Sequence, residues 1–395
     1  MQITHKIEIK PTKDQETQLE KACGCARFAY NWGLNKWNEM YDAWRKDNTL
    51  QKPNANLIKK EFNSIKELDF PWIYDSPKDA NQQPFANLNK AFVRFFKKES
   101  KFPKFKKKKG KNSFYLSNDK FKIKDKIITL PKIGEVQLTE QLGFDGKIVS
   151  GTIKKHAHKW FVSMTVETNI VKQKTIANPV IGIDLGLINF ATLSNGEFYQ
   201  SPKPLKISTK KLKQKQRQLS KKVIGSNNYK NKSMQLGRLH YKVGCQRSDF
   251  LHKLSTQTCR ENQTICLENL QVKNMMKNHK LARAIGDAGW SEFVRQIKYK
   301  SKIYDNEVIF ADRFYPSSKT CSNCGSKKAT LSLKERDFNC ETCGFSIDRD
   351  LNAAINISRL GYSRTHACGH QTSVVLDSST VSLVDETRIT QVYTL

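Results

Sequence analysis

The chain of 395 residues is 38% hydrophobic and carries 69 Lys and Arg against 37 Asp and Glu, a formal charge of +32. This suits a folded protein of two or three domains of roughly 100–200 residues each. No run of 18 apolar residues occurs, and Met1 to Pro11 holds neither an apolar signal core nor a cleavage site, so a membrane span and secretion are not expected. Such a positive excess repels itself in a compact state and implies a polyanionic partner. Nucleic acid is preferred to an anionic membrane, because no basic amphipathic anchor or lipidation signal is present.

Residues 2–10 alternate, with Ile3, Ile7 and Ile9 among polar neighbours, and read as a strand. Thr12 or Asp14 can cap the following helix, which carries Leu19, Cys23, Ala26, Phe28, Tyr30, Trp32 and Leu34. Helical sequence continues to about residue 100. Its clearest segment is predicted to start at Pro84, a favourable first helical position, with Phe85, Leu88, Phe92, Phe95 and Phe96 as a core stripe. The basic stretch 97–111 ends in Lys106 to Lys109. Phe102, Phe105 and Phe114 are interleaved with it, the composition of a nucleic-acid face. From Ser113 to Glu167 short strand-like segments predict a small β-barrel domain, rejoined by the N-terminal strand, with the helical block as an insertion. His156 and His158 fall at a hairpin end and read as turn residues, since no other ligand types lie near. Residues 168–178 form a polar linker, and a new domain is expected to start at Pro179.

In that domain Val180 to Ile183 is an apolar strand ending in Asp184. Asn189 to Ser194 reads as a second strand, Asn195-Gly196 as a hairpin turn and Phe198-Tyr199 as the return strand. A buried strand that ends in an acid and leads into a hairpin suits the start of an RNase-H-like sheet. Residues 198–248 contain fourteen Lys or Arg and no acid. A solvated helix normally mixes signs, so the stretch Lys210 to Lys222 and the loop Gly225 to Lys232 read as a phosphate-contacting face. Helical sequence from about Gly244 to Glu261 precedes a strand, Thr264 to Leu267, that delivers Glu268. A third acid stands in SIDRDLNAAINISRL, where Asp348 reads as the N-cap of a helix burying Ala353, Ala354, Ile357 and Leu360. Asp350 lies three and four residues before Ala353 and Ala354 and shares their face. It is therefore the candidate ligand, with Asp348 as the alternative. Three carboxylates in a polybasic chain repel both each other and a phosphodiester unless they cage cations. Two Mg²⁺ ions held by Asp184, Glu268 and Asp350 would suit phosphodiester hydrolysis.

Four of the ten cysteines form two CxxC pairs, Cys321 with Cys324 and Cys340 with Cys343, separated by 15 residues and each followed by glycine. This spacing reads as a structural four-thiolate site for one Zn²⁺. It follows the strand Val308 to Ala311 and precedes the Asp350 helix. The other six, Cys23, Cys25, Cys245, Cys259, Cys266 and Cys368, are irregularly spaced and do not read as a disulfide framework. His366, Cys368 and His370 read as part of a disordered polar tail rather than as a second metal site.

The segments GIDLGLINFATLSNGE, the basic helical block, LENL, LARAIGDAGWSEFVRQIKYKS, FYPSSKTCSNCG and DRDLNAAINI together resemble the TnpB family. Its members are encoded by insertion sequences and are similar to compact type V CRISPR nucleases. The resemblance runs from about residue 3 to 360. It implies a multi-domain α/β protein: a β-barrel wedge domain (1–10 and 113–178), an inserted helical recognition lobe (11–112), a RuvC-like, RNase-H-like nuclease domain (179–316 and 346–360), a zinc ribbon (317–345) and a flexible tail (361–395). It also implies RNA-guided cleavage of double-stranded DNA beside a short transposon-adjacent motif, with Asp184, Glu268 and Asp350 catalytic and Cys321, Cys324, Cys340 and Cys343 holding zinc. The implied partners are a guide RNA from the transposon end and the DNA target, with no membrane, in a prokaryotic cytoplasm at the nucleoid. The competing readings are a transposase acting directly on transposon ends and a catalytically silent guided DNA-binding regulator.

Overall fold

The computed structural model describes residues 2–108, 110, 112–169, 178–332 and 335–367. They form two compact units, residues 2–169 and 178–367. Most of the linker expected at 168–178, Cys368, His370 and residues 371–395 lie outside the described residues.

The first unit starts with β1 (Gln2–Lys10), whose Ile3, Ile7 and Ile9 are buried. The helix α1 (Lys13–Lys46) follows, and Thr12 rather than Asp14 caps it. The Thr12 hydroxyl accepts the Gln15 N–H while the Gln15 side chain accepts the Thr12 N–H, a reciprocal capping box. Then come α2 (Ala55–Asp69) and α3 (Lys78–Phe96). The strands are β2 (Ser113–Ser117), β3 (Lys122–Lys124), β4 (Ile127–Leu130), β5 (Gly134–Leu138), β6 (Lys147–His156) and β7 (Lys159–Glu167). β1 pairs antiparallel with β7 from Gln2–Glu167 to Ile9–Trp160, and with β5 at its end, so the three helices are inserted between β1 and the rest of its sheet. Helices and sheet share one core that includes Leu19, Phe62, Phe85, Phe92, Trp160 and Met164.

Several expectations are corrected here. The strand order is β2-β6-β7-β1-β5-β4-β3, and among the described residues β2 and β3 do not pair, so the sheet is not a closed barrel. A 3-10 turn, Asn118–Lys120, rather than a hairpin joins them, which leaves them at opposite ends of the order. Pro84 does not start α3 but lies inside it. Ala80 and Asn81 bury on the same face as Pro84 and Phe85, and this packing outweighs the one backbone donor that an interior proline lacks. Phe85, Leu88 and Phe92 are core, whereas Phe96, the last residue of α3, stays 64% exposed. In the basic stretch Phe114 is buried in β2 and is not on a nucleic-acid face, whereas Lys106 is exposed, its ammonium 3.8 Å from the centre of the Tyr30 ring. Phe102 and Phe105 are exposed. His156 and His158 do fall at the β6–β7 hairpin, around Ala157 in the left-handed region.

The second unit contains β8 (Asn178–Asp184), β9 (Asn189–Leu193), β10 (Phe198–Gln200), α4 (Pro204–Ser220), α5 (Asn227–Glu261) and β11 (Asn262–Leu267). It continues with α6 (Val272–Met275), α7 (Ala282–Ala288), α8 (Trp290–Tyr304), β12 (Glu307–Phe310), β13 (Asp337–Asn339), β14 (Ser346–Asp348) and α9 (Arg349–Ala367). The main sheet has the order β10-β9-β8-β11-β12; β8, β11 and β12 are parallel and β9 and β10 antiparallel. The parallel strands are covered on both faces, as such strands require. Ile181, Ile183, Ile265 and Leu267 pack with Leu251, Leu254, Phe293 and Ile297 of α5 and α8. The alternate residues, Val180, Cys266 and Ile309, pack with Ile357 of α9. The α4–α5 turn is shorter than predicted: the Ser226 hydroxyl caps α5 at Tyr229, and Leu212, Leu219 and Leu236 close the two helices on each other. α9 also runs to Ala367, beyond the expected end near 360, so residues 361–367 are helical rather than tail. Among the described residues no helix is long and apolar enough to cross a membrane.

Among the glycines of this unit, the tightest surroundings are those of Gly182. A Cβ there would strike the Ala354 carbonyl oxygen and the Ser358 amide of α9. Gly182→Ala should therefore lower the melting temperature, by about 1–3 kcal/mol of stability or more. Gly196→Ala, whose Cβ meets nothing within 4 Å but whose φ of +92° is strained, is the comparison. Thermal unfolding in which Gly182→Ala matches wild type would show that α9 does not seat so tightly.

Candidate functional site

The close packing at Gly182 determines where the acids fall. Val180, Gly182 and Asp184 alternate onto the α9 side of β8, because side chains in a strand repeat every two residues. Gly361 of α9 packs against Val180, and Ala354 and Ser358 against Gly182, so α9 runs antiparallel to β8. Stepping back four residues from Ala354 to Asp350 moves about 6 Å along the helix. Stepping on from Gly182 to Asp184 moves about 6.6 Å along the strand. The first turn of α9 is thereby brought to the end of β8. β11 pairs with β8 at Cys266–Gly182 and Leu267–Ile183, and continuing this register sets Glu268 beside Asp184.

The three predicted acids thus meet at one rim, where Asp184 feels the charges of both others and Glu268 that of Asp350. Burial, then the charges of Glu268 and Asp350, raises Asp184 well above the usual carboxylate range, while Arg349 acts in the opposite sense. Glu268 is raised by burial and by Asp350, against the hydrogen bond from Ser317. Asp348 takes the other role considered for it: its Oδ1 accepts the N–H groups of Asp350 and Leu351, both at 2.9 Å, and caps α9. The three acids do not all place an oxygen within 4.8 Å of one another; among the described residues only the four cysteines gather their ligand atoms so tightly. Asp350 is held by Arg349, whose Nη2 donates to Asp350 Oδ1 at 3.0 Å. The donor set is all oxygen, recessed and mutually repelling. This fits hard divalent cations.

The cysteines form a second centre. Cys321 and Cys343 sulfurs are 3.8 Å apart and Cys324 and Cys340 sulfurs 3.6 Å apart. A disulfide would require about 2.05 Å, whereas four thiolates about 2.3 Å from a central zinc have tetrahedral edges of about 3.8 Å. Gly325 and Gly344 turn each knuckle at φ of +78° and +70°, returning N–H groups to the Cys321 and Cys340 carbonyls. A hydrogen bond with the Ser326 hydroxyl is the main cause that lowers the Cys340 thiol to about 5, while Cys343, against a backbone hydrogen bond from Phe345 that lowers it, is raised to about 11 by burial and the sulfurs of Cys324 and Cys340. Cys23, Cys25, Cys259 and Cys266 are buried in α1, α5 and β11, and among the described residues none of them joins a group of ligand atoms as tight as this one.

Residues that sequence reasoning missed tie the two centres together. Asn352 and Asn356, fully buried on α9, donate to the Thr320 carbonyl, and Asn356 also to that of Ser317. Asn352 accepts the Ser322 N–H. Ser317, 4% exposed, donates to Glu268 Oε1 at 2.9 Å. The available signal was two asparagines four apart on an otherwise apolar helix face, since buried amides require partners. Asp287, in the segment LARAIGDAGW, accepts the Leu205 and Lys206 N–H groups and an Arg247 guanidinium bond, and so seats the start of α4. Along α4, Lys210, Lys213, Arg217 and Lys221 line an open basic groove.

Comparison with known proteins shows which families the chain resembles. A family described as a probable transposase, the OrfB type of IS605 elements, matches residues 161–279. The Cas12f1-like TNB domain matches residues 290–357, which contain the cysteine centre. A helix-turn-helix description matches residues 1–46, where this chain forms β1 and the single helix α1. The chain is 35% identical over 370 residues to a Streptomyces pristinaespiralis protein, covering 92% of this chain and 90% of that one. It is 30% identical over 380 residues to the InsQ protein of Escherichia coli K12, covering 92% and 93%. Both relatives bear the name "Putative RNA-guided DNA endonuclease". The fold is similar to Cas12f1 in a complex with single guide RNA and target DNA, with a TM-score of 0.52 at 16% identity over 86% of this chain and 81% of that one. The chain belongs to the TnpB family.

The raised Asp184 has a stability consequence. A carboxyl whose folded value lies above its unfolded value weakens the fold as pH rises between the two, and the loss is complete above the folded value. Asp184→Asn should therefore raise the melting temperature of metal-free protein at neutral pH, and the gain should vanish as pH falls to about 4, near the unfolded value. A gain independent of pH would remove Asp184 from the repelling cluster.

Proposed function

We propose that this protein is an RNA-guided endonuclease that cleaves double-stranded DNA beside a short transposon-adjacent motif. The observation that carries the reading is the meeting of Asp184, Glu268 and Asp350 at one rim, in a chain of +32 whose relatives bear the name of guided endonucleases. The sheet order β10-β9-β8-β11-β12, with β9 antiparallel to both its neighbours, β8, β11 and β12 parallel, and an acid at the end of β8 and directly after β11, supports a RuvC-like domain of the RNase-H kind. The open β-sheet with its inserted helices takes the part of wedge domain and recognition lobe. The four cysteines take that of a zinc ribbon with one structural Zn²⁺, since four thiolates leave no open position on the metal.

Asp184, Glu268 and Asp350 would hold two Mg²⁺ ions, which when bound supply an activated water and stabilise the leaving oxygen. The remaining work falls to the chain. The rigid seat of α9 on β8 keeps the three carboxylates at one place on the phosphodiester, and the recessed rim limits bulk water. The lysines and arginines of α4 hold phosphates by charge without reading sequence. A guide RNA then supplies sequence by base pairing, and the protein reads only the flanking motif, with residues 1–170 as the reader. The RNA is expected to come from the transposon end, and the place of action is the nucleoid.

Asp184→Ala, Glu268→Ala and Asp350→Ala should each abolish cutting and keep DNA binding, while Asp348→Ala should keep activity and lose part of the α9 cap, about 0.5–2 kcal/mol. A dead Asp348→Ala with an active Asp350→Ala would exchange their roles. Reconstitution with Mg²⁺, a plasmid target and RNA from the transposon end tests guidance: changing the guide segment should move the cut to the newly matched site. The description of a probable transposase favours direct action on transposon ends, and cutting at one place unaffected by RNase treatment would establish that instead. Elemental analysis should find one zinc per chain, lost in Cys340→Ser together with local structure; zinc-free wild type would end the ribbon reading.

A further inference from the structure

Two carboxylates at the rim are held by groups of quite different origin. Asp350 is held by Arg349, its own neighbour on α9. Glu268 is held by Ser317, 49 residues away, in the segment that leads into the first cysteine knuckle. Ser317 is buried, and its backbone has fixed partners. Its carbonyl accepts the Asn356 amide at 2.8 Å, and its N–H donates to the Tyr315 carbonyl at 2.9 Å. The Tyr315 hydroxyl returns to the Asn356 carbonyl at 3.1 Å. Three residues further on, the Thr320 carbonyl accepts both asparagine amides, and next to it the Cys321 N–H donates to Ser326 inside the knuckle. The hydroxyl of Ser317 therefore points at Glu268 Oε1 from a segment fastened to α9 on one side and to the knuckle on the other.

We infer that Ser317 is a positioning residue for Glu268, through which the cysteine ribbon sets the metal affinity of the carboxylate rim. The inference rests on the reading of Glu268 as a metal ligand. A carboxylate can rotate about its last bond, and that rotation moves its oxygens. Donation from Ser317 to Oε1 restrains that rotation and would hold the carboxylate in one orientation toward a cation. Such outer partners of metal ligands typically change metal affinity or activity by about 10–100-fold when removed. The ribbon then has a role at the reacting centre although its own four thiolates do no chemistry there. Sequence order conceals this, because Ser317 and Glu268 are separated by α6, α7, α8 and β12.

The test uses the full-length protein with its RNA, in wild type, Ser317→Ala and Ser317→Thr. Mn²⁺ titration followed by electron paramagnetic resonance reads metal binding without any need for cutting. Ser317→Ala should bind Mn²⁺ about 10–100-fold more weakly and need correspondingly more Mg²⁺ for half-maximal cleavage. Its zinc content and RNA-directed DNA binding should match wild type. Ser317→Thr, which keeps a hydroxyl, should recover the wild-type metal affinity. Unchanged Mn²⁺ affinity in Ser317→Ala overturns the inference. So does a loss accompanied by zinc release and a lower melting temperature, which would make the residue merely structural, and so does a well-folded Ser317→Thr that fails to recover. A wild type that shows this metal dependence on Ser317 but cuts no DNA would leave the positioning role standing and overturn the endonuclease reading.

Discussion

The interaction on which the second unit depends is the contact of one helix with two parallel strands. α9 lies so close to β8 that Gly182 has no room for a Cβ, and Gly361 is pressed in the same way onto Val180 and Cys266. Side-chain alternation along β8 and β11 then brings Asp184 and Glu268 to the face that α9 covers, and the antiparallel run of α9 brings its first turn to the same rim. The acids are neighbours because apolar packing further down the helix leaves them nowhere else to go. Ile357 among Val180, Cys266 and Ile309 supplies the hydrophobic part of that seat.

The same contact creates an electrostatic conflict. Burial and mutual repulsion hold Asp184 and Glu268 above the usual carboxylate range, so in the absence of cations the rim weakens the fold it belongs to. Arg349 offsets part of this at Asp350, and Ser317 at Glu268. Both come from the segments that lead into and out of the ribbon. Arg349 also donates to the Glu335 carbonyl, and its N–H to that of Arg336. The ribbon is thus bound into the rim on two sides, which gives a physical reason for a cysteine centre to stand between the last strand of the sheet and the helix that carries the third acid. Strain of this kind is what stability alone would remove.

Much of the candidate site was legible. Asp184 and Glu268 each end a short apolar strand, and apolar runs of that length bounded by polar residues mark buried strands. Asp350 was separable from Asp348 by helix phase, and the structure gives Asp348 the cap. The cysteine spacing and its glycines were legible because a metal knuckle is a local structure. Pro84 was misplaced because the helix start is decided by the burial of Ala80 and Asn81, which is a tertiary fact. The barrel was expected because short strands in series look alike whether or not their ends meet; the sheet is open because a 3-10 turn parts β2 from β3. Phe114 looked like part of a nucleic-acid surface because composition cannot distinguish an aromatic residue that faces solvent from one that faces the sheet.

By itself the sequence determined everything governed by spacing within one element: which strands end in acids, which face of the last helix carries Asp350, and how the four thiols pair into knuckles. Period, cap and turn are properties of neighbours along the chain, and neighbours can be read in order. Tertiary structure alone decided how close α9 comes to β8, that Asn352 and Asn356 hold the approach to the ribbon, and that Ser317 reaches Glu268 across 49 residues. Those depend on the register between elements and on buried amides finding partners, and no local pattern carries either.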